Sequence, residues 1–248
     1  MRAHIELGDF KAEVIRKAVK HVHLGVYPPD GRVRIAAPTH LGLDSIRVFA
    51  ISRLAWIKAE RRKFLAQDRE TPREYIERES HYVWGRRYLL TIRHTEAAAQ
   101  VELQRTRLVL HVRAAVDAER RAAILERWYR DQLRQRVAEL LPGLQRKMGV
   151  TANQVFVQRM KTKWGGCNAR SGNIRLNTEL AKKPPNCLEY VLVHELAHLI
   201  VPRHNEQFVD VMDRFYPNWR VARRALNALP LRHEAWAPAE GEFVEFRR

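Results

Sequence analysis

Two histidines stand four residues apart at His194 and His198, with Glu195 directly after the first. The residues around them, Leu188–Leu199, are mostly apolar and good helix formers, so the segment is predicted to be a helix. Positions i and i+4 share one face of a helix, which lets both imidazoles reach one metal ion. Glu195 is rotated by about 100° from His194 and projects beside that ion, where a general base is needed.

A third histidine follows after the predicted end of this helix. Pro202 is predicted to end the helix, and His204 follows two residues later. On an uninterrupted helix His204 would lie almost three turns from His194, too far for a shared ion. A chain that turns back after Val201 brings it close. The pattern therefore predicts a zinc site with His194, His198 and His204 as ligands and an open fourth position.

Composition restricts where such a chain works. Its 248 residues suit one large or two small domains, and its two cysteines are too few for a disulfide framework. The first residues have no apolar core of a signal peptide, and no apolar run reaches the roughly 18 residues of a membrane span. We expect a cytoplasmic protein without a membrane partner. Cys167 and Cys187 are expected to be small packing residues, because free cysteines usually are.

The formal net charge of +17 leaves the partner open. The basic excess is spread along the chain and is not gathered in a tail or arm. Such a charge fits a nucleic-acid partner or an anionic substrate, and it equally fits a solvated basic surface with no dedicated partner.

The first part of the chain is predicted to be β-rich with one helix. Lys20–Tyr27 and Arg32–Ala37 alternate on either side of a Pro-Pro-Asp-Gly turn and predict a hairpin. Asp44-Ser45 is placed to cap a helix over 46–66. Two further β segments are predicted at Tyr82–Arg93 and Arg107–Arg113.

The period then changes to that of a helix. Apolar residues recur every three to four positions from about Asp117 to Leu144, which predicts an amphipathic helix of about seven turns ending near Pro142-Gly143 or just beyond. Strands at 155–157 and 173–177 follow, then the histidine helix from Cys187 to about Val201, capped by Asn186. Two more helices are predicted over 206–215 and about 218–229.

The predicted fold class is α+β: a β-rich N-terminal part, a long linking helix and a C-terminal part with a small mixed sheet and the histidine helix. We divide the chain into a region over 1–116, a metal-site region over 117–230 and a tail over 231–248, in which 243–246 predict a short strand. No internal sequence repeat is evident.

Several motifs resemble the YgjP-like metallopeptidase family, which is related to the SprT-like and minigluzincin-type zinc peptidases. The residues that carry the resemblance are Lys161–Cys167, Gly172–Asn177, Tyr190–His198, His204 and Phe208, with a weaker likeness at Trp84–Tyr88. The chain departs from the family pattern at Gly166 and Asn205, where serine is usual. Neither position is a predicted ligand.

The resemblance implies a zincin-like fold and a zinc-dependent metallopeptidase. Residue by residue, it implies zinc on His194, His198 and His204, with Glu195 as base and acid toward a zinc-activated water. The strand at 173–177 would be the sheet edge that pairs with an extended peptide. Arg175, Asn177 and Trp164 are candidate substrate contacts; an ordinary strand face explains Arg175 and Asn177 equally well.

Two other functions stay open. The resemblance also implies a metal-dependent pyrophosphatase acting on uridine triphosphate, for which arginines such as Arg170, Arg175 and Arg203 would suit a polyphosphate. The SprT-like relatives imply a third function, a nucleic-acid-associated protease. A peptidase predicts an open groove, a pyrophosphatase a compact basic pocket, and nucleic-acid binding a steep dependence on salt.

Overall fold

The computed structural model describes residues 2–27, 31–66, 73–160 and 163–228. These residues form a mixed α+β fold, as predicted. Contacts group the chain into two compact units, Met1–Glu70 and Thr71–Leu229. The change of period near residue 117, where we divided the sequence, falls inside the second unit, which also contains all residues of the predicted metal site.

The first unit is a four-stranded sheet with two helices. Its strand order is β1-β2-β4-β3. β3 and β4 form the predicted antiparallel hairpin. Residues 28–30 of its turn lie outside the described part of the chain. The strands are β1 (Arg2–Glu6), β2 (Lys11–Lys17), β3 (His23–Tyr27) and β4 (Arg32–Pro38). Alternate residues of β2 and β4, such as Val14 and Ile35, are fully buried in its core.

The prediction of a single helix over 46–66 is wrong in two respects. The structure has two helices, α1 (Leu43–Ser52) and α2 (Leu54–Ala66), interrupted at Arg53. The first begins before the predicted cap, with Gly42 at the N-cap and no side-chain hydrogen bond there. Asp44 instead lies in the first turn, where a carboxylate favours the helix dipole.

The second unit begins with a sheet of the same topology. Its order is β5-β6-β8-β7, again two antiparallel hairpins joined by one parallel central pair. The segment predicted over 82–93 is therefore two strands, because the chain reverses at Trp84-Gly85, where both residues have positive φ. The strands are β5 (Ser80–Val83), β6 (Arg86–His94), β7 (Gln100–Leu103) and β8 (Arg107–Val112).

The long helix α3 (Ala118–Met148) confirms the predicted period and extends past the predicted end. Asp117 caps it by accepting a hydrogen bond from Arg120 N, and Gly149 ends it in the left-handed conformation. The helix continues through Pro142 because Leu144 and Met148 are buried in the core. No helix in the described ranges is both long and apolar enough to cross a membrane.

A three-stranded mixed sheet follows, as predicted. Its members are β9 (Gln154–Gln158), β10 (Gly165–Asn168) and β11 (Asn173–Asn177). The order is β10-β11-β9, so the prediction that strand 173–177 is a sheet edge is wrong. β11 pairs with β10 on one side and with β9 on the other. Sequence reasoning missed β10, whose two glycines give little β propensity.

The helices of the metal region complete the unit. A 3-10 helix (Thr178–Lys182) precedes α4 (Pro185–Ile200), and α5 (Glu206–Phe215) and α6 (Trp219–Ala228) follow. The predicted Asn186 cap is wrong: Pro184 occupies the N-cap, and Pro185 begins the helix without a side-chain cap. The strand predicted over 243–246 lies outside the described residues.

The turn between β5 and β6 lies directly against the start of α4. Trp84 N donates to Ala181 O at 2.8 Å, and Gly85 N donates to Lys182 O at 3.2 Å. A Cβ on Gly85 would lie 2.9 Å from Pro184 Cγ and 3.1 Å from Pro184 Cα. The four-stranded sheet of the second unit is therefore joined to the segment just before α4 at Gly85, where there is no room for a side chain.

We expect Gly85→Ala to lower the free energy of unfolding by about 2–4 kcal/mol, combining left-handed backbone strain with overpacking against Pro184. Gly149→Ala is the matched control, because Gly149 has a φ of 69° against 78° at Gly85 and no neighbouring atom within 4 Å. It should cost about 1 kcal/mol. Urea denaturation measures both, and equal losses would contradict the contact with Pro184.

Candidate metal centre

α4 carries the first two predicted ligands on one face. Most of its residues are buried, including Leu192 and Leu196, so the helix is fixed by the core on the opposite side. Val201 N donates to Ala197 O at 2.8 Å as the last helical hydrogen bond, and Pro202 has no N–H with which to continue. The chain therefore leaves the helix one turn after His198, as predicted.

The turn after α4 brings the third histidine back. His194 Nε2 and His204 Nε2 are 3.1 Å apart, and the rings of His198 and His204 have centroids 4.6 Å apart. One nitrogen from each of the three imidazoles falls within 4.8 Å of the others. Two nitrogens bound at 2.0–2.1 Å to one tetrahedral zinc lie roughly 3.3 Å apart, so this spacing fits a single ion.

Two residues hold His204 in this place. Asn205 caps α5 by accepting a hydrogen bond from Phe208 N at 3.0 Å. An asparagine performs this capping as well as the serine usual in the related family. Phe208 is buried and packs against all three imidazoles, with ring centroids at 5.0, 4.7 and 4.7 Å from His194, His198 and His204.

The three imidazoles are held in the form that binds metals. Burial lowers the pKa of His194 to about 3 and that of His198 to about 4, with help from the neighbouring imidazoles. Partial burial of its ring and the charge of Arg223 also lower the pKa of His204, although the residue as a whole is exposed. All three are neutral at pH 7, and a neutral imidazole is the ligand that a divalent metal requires. The donor set therefore fits zinc and other divalent transition metals.

The lowered pKa values predict a weak pH dependence of metal affinity. Three ordinary imidazoles, with a pKa of about 6.5, would lose roughly 50-fold in apparent affinity between pH 7.5 and pH 6 as they take up protons. Here the imidazoles bind protons only at lower pH, so we expect a loss below about fivefold in Glu195→Gln, a variant that keeps the three histidines and has no carboxyl group to titrate beside the metal. Competition with a chelator at both pH values measures this, and a 50-fold loss would contradict the observed burial.

Glu195 lies in the next position of α4 but on a different face. Its side chain is only 5% exposed and lies beside β10. Burial raises the pKa of Glu195 to about 8, while the charge of Lys163 acts to lower it. A metal cation at the three histidines would lower this pKa further, because a nearby positive charge favours the carboxylate. The carboxyl group is thus placed to exchange a proton near neutral pH.

Other residues near the centre were not predicted from the sequence. Gly165 and Cys167 of β10 adjoin Glu195, and burial followed by the charge of Glu195 raises the pKa of the Cys167 thiol to about 11. Tyr190 lies one turn before His194, with ring centroids 5.9 Å apart. Arg223 of α6 acts electrostatically on His194 and His204. Gly165, Cys167 and Tyr190 lie within the motifs quoted above, but their spacing in the sequence did not indicate that they adjoin the metal centre, and Arg223 lies outside those motifs.

Two of the predicted substrate contacts, Arg175 and Asn177, lie on β11. Arg175 is exposed on β11, paired with Gly166, and its guanidinium is 5.8 Å from the Phe156 ring. Asn177 is buried, and its Nδ2 donates to Met160 O and Lys163 O at 2.8 Å each.

Trp164 has a structural contact of its own. It accepts a hydrogen bond from Asn177 N on its carbonyl, and its indole lies 5.9 Å from Lys183 Nζ. Contact of Trp164, Arg175 or Asn177 with a substrate therefore stays a prediction. Cys187, in contrast, is fully buried in the core, as predicted.

One helix carries two histidines and a buried glutamate, and a third histidine follows in the turn after it. This arrangement is typical of metal-dependent hydrolases. A family model described as the YgjP-like metallopeptidase domain matches residues 21–229. The chain therefore belongs to the YgjP-like metallopeptidase family, as the sequence motifs indicated.

Comparison with individual proteins adds little to the family assignment. Among solved structures, the crystal structure of the metallopeptidase zymogen of Pyrococcus abyssi abylysin is similar at 24% sequence identity. The similarity covers 36% of this chain and 87% of that chain, with a TM-score of 0.33. A search of the curated proteins finds no match.

Proposed function

We propose that this protein is a zinc-dependent peptidase in which Glu195 is the general base. The observation that carries the proposal is the convergence of three neutral imidazole nitrogens within 4.8 Å, with a buried carboxyl group at the neighbouring helix position. His194, His198 and His204 would hold the zinc, which supplies Lewis acidity and lowers the pKa of a water.

The residues of the chain then have distinct tasks. The Glu195 carboxylate accepts a proton from the attacking water and donates it to the leaving amine. Its burial suits both steps, because a carboxyl group with a raised pKa holds a proton near neutral pH. Phe208 fixes the three imidazoles by contact with each ring. His204, on the exposed side, leaves the centre open to solvent and to a substrate.

A pyrophosphatase acting on a nucleoside triphosphate is the second candidate. The observation in its favour is that two positively charged side chains act on the centre, Lys163 on Glu195 and Arg223 on His194 and His204. Both side chains are exposed. Cations placed in this way would bind a polyphosphate, and they would also bind an acidic peptide.

One assay separates the two functions. Metal-stripped protein reloaded with zinc is incubated with pooled quenched-fluorescence peptides and unfolded casein, and in parallel with uridine triphosphate while pyrophosphate is measured. We expect peptide cleavage that a chelator abolishes and zinc restores. Zinc-dependent pyrophosphate release without peptide cleavage would overturn the peptidase in favour of the second candidate.

A further inference from the structure

β10 passes α4 at a distance that only glycine permits. A Cβ built on Gly165 would lie 2.6 Å from Glu195 Oε1 and 2.9 Å from Glu195 Cγ. It would also lie 2.9 Å from Cγ1 of Val191, one helical turn earlier on the same stripe of α4. Carbon atoms in contact normally stay about 3.5–4.0 Å apart, so all these contacts are repulsive.

The next residue of β10 has no such restriction. A Cβ on Gly166 would have no heavy atom within 4 Å. Gly165 pairs with the fully buried Leu176, whereas Gly166 pairs with the exposed Arg175. Successive strand residues point to opposite faces, so only Gly165 faces α4. Neither glycine has a positive φ, so backbone strain does not distinguish them.

The neighbours of Gly165 have little freedom to make room. Glu195 is 5% exposed and Val191 is 3% exposed, and both are attached to a helix that the core fixes. The oxygen of Glu195 could rotate away, but its Cγ could not without changing the direction of the whole side chain. An added methyl group must therefore displace the carboxyl group or push β10 away from α4.

We propose that Gly165 is a positioning residue for Glu195: its missing side chain lets the backbone of β10 form the wall that sets where the carboxyl group lies. This inference rests on the proposed role of Glu195 as the general base. Gly165 acts through that side chain. A displacement of about 1 Å from a productive geometry lowers catalytic rates by up to 100-fold.

The test compares Gly165→Ala with Gly166→Ala as the matched control and Glu195→Gln as the reference without a base. Each protein is loaded with zinc, its zinc content is measured, and kcat and KM are determined on a peptide that the wild type cleaves. We expect Gly165→Ala to retain zinc and KM and to lose kcat at least about tenfold, with Gly166→Ala near wild type. Crystal structures of both variants give a readout that needs no substrate, and Glu195 should be displaced in Gly165→Ala alone.

A compensating change separates positioning from general damage. Val191→Ala removes the Cγ1 that a new Cβ would meet but leaves the contact with Glu195 Cγ, so Gly165→Ala/Val191→Ala should regain stability while its kcat stays low. The double variant also serves if Gly165→Ala alone does not fold. Unchanged placement of Glu195, or equal kcat in Gly165→Ala and Gly166→Ala, overturns the inference. Full turnover in Glu195→Gln overturns the proposed base instead, and the crystal structures still decide whether Gly165 places this side chain.

Discussion

Glu195→Gln is expected to reduce peptide hydrolysis by about 10²–10⁴-fold while the protein keeps its zinc. Glutamine has nearly the same shape as glutamate, so it fits the narrow space beside Gly165. Its amide cannot accept the proton of the attacking water at neutral pH. The three imidazoles are untouched, and the metal affinity should therefore stay within a small factor of the wild-type value.

The measurement pairs steady-state kinetics with zinc content in the same sample. Glu189→Gln is the matched control, since Glu189 is on the same helix and acts electrostatically on Tyr216 and not on the histidines. We expect this control to hydrolyse peptides like the wild type. A Glu195→Gln protein with more than about a tenth of wild-type kcat would show that another group takes the proton.

His198→Ala is expected to abolish both zinc binding at micromolar concentration and hydrolysis. Loss of a group that merely orients a ligand lowers metal affinity about 10–100-fold, so loss of a ligand itself should exceed 100-fold. The wild type should gain about 4 kcal/mol of stability when zinc is 1,000-fold above its dissociation constant. The variant should gain almost none under the same conditions.

Thermal unfolding with and without zinc measures this difference directly. His94→Ala is the control, because His94 is exposed at the end of β6 and is not among the three clustered histidines. Its melting temperature should rise with zinc as the wild type does. An equal rise in His198→Ala would contradict the proposed ligand set.

The clustering of the three histidines could be predicted from the sequence because their geometry is local. His194 and His198 are related by one helical turn, and Pro202 ensures that the chain leaves the helix before His204. The buried face of α3 could also be predicted from the spacing of its apolar residues. The residues that this spacing assigned to the core are all buried: Leu125, Tyr129, Leu133 and Val137. Local periodicity was enough in both cases.

The surroundings of Glu195 could not be predicted in this way. Gly165 is brought to it by strand pairing and helix packing across 30 positions of sequence, and a glycine-rich strand has no periodic signal. Because β10 was not predicted, β11 was expected at the edge of its sheet, whereas it is the central strand. Asn177 was a candidate substrate contact, and no sequence pattern indicated that its side-chain amide donates to Met160 O and Lys163 O.

The matching topology of the two four-stranded sheets bears on how the chain folds. Each sheet consists of two hairpins, which close between residues near in sequence and form within about 1–10 μs. One parallel pairing then joins them, Ala12 with Val33 in the first sheet and Leu89 with Arg107 in the second. The partners in these two parallel pairs are 21 and 18 positions apart in the sequence, so both sheets have low contact order. Closing loops of that length costs little entropy. The contact between β10 and α4 joins residues further apart in the sequence, so the close approach of Gly165 to Glu195 is expected to form after the two four-stranded sheets.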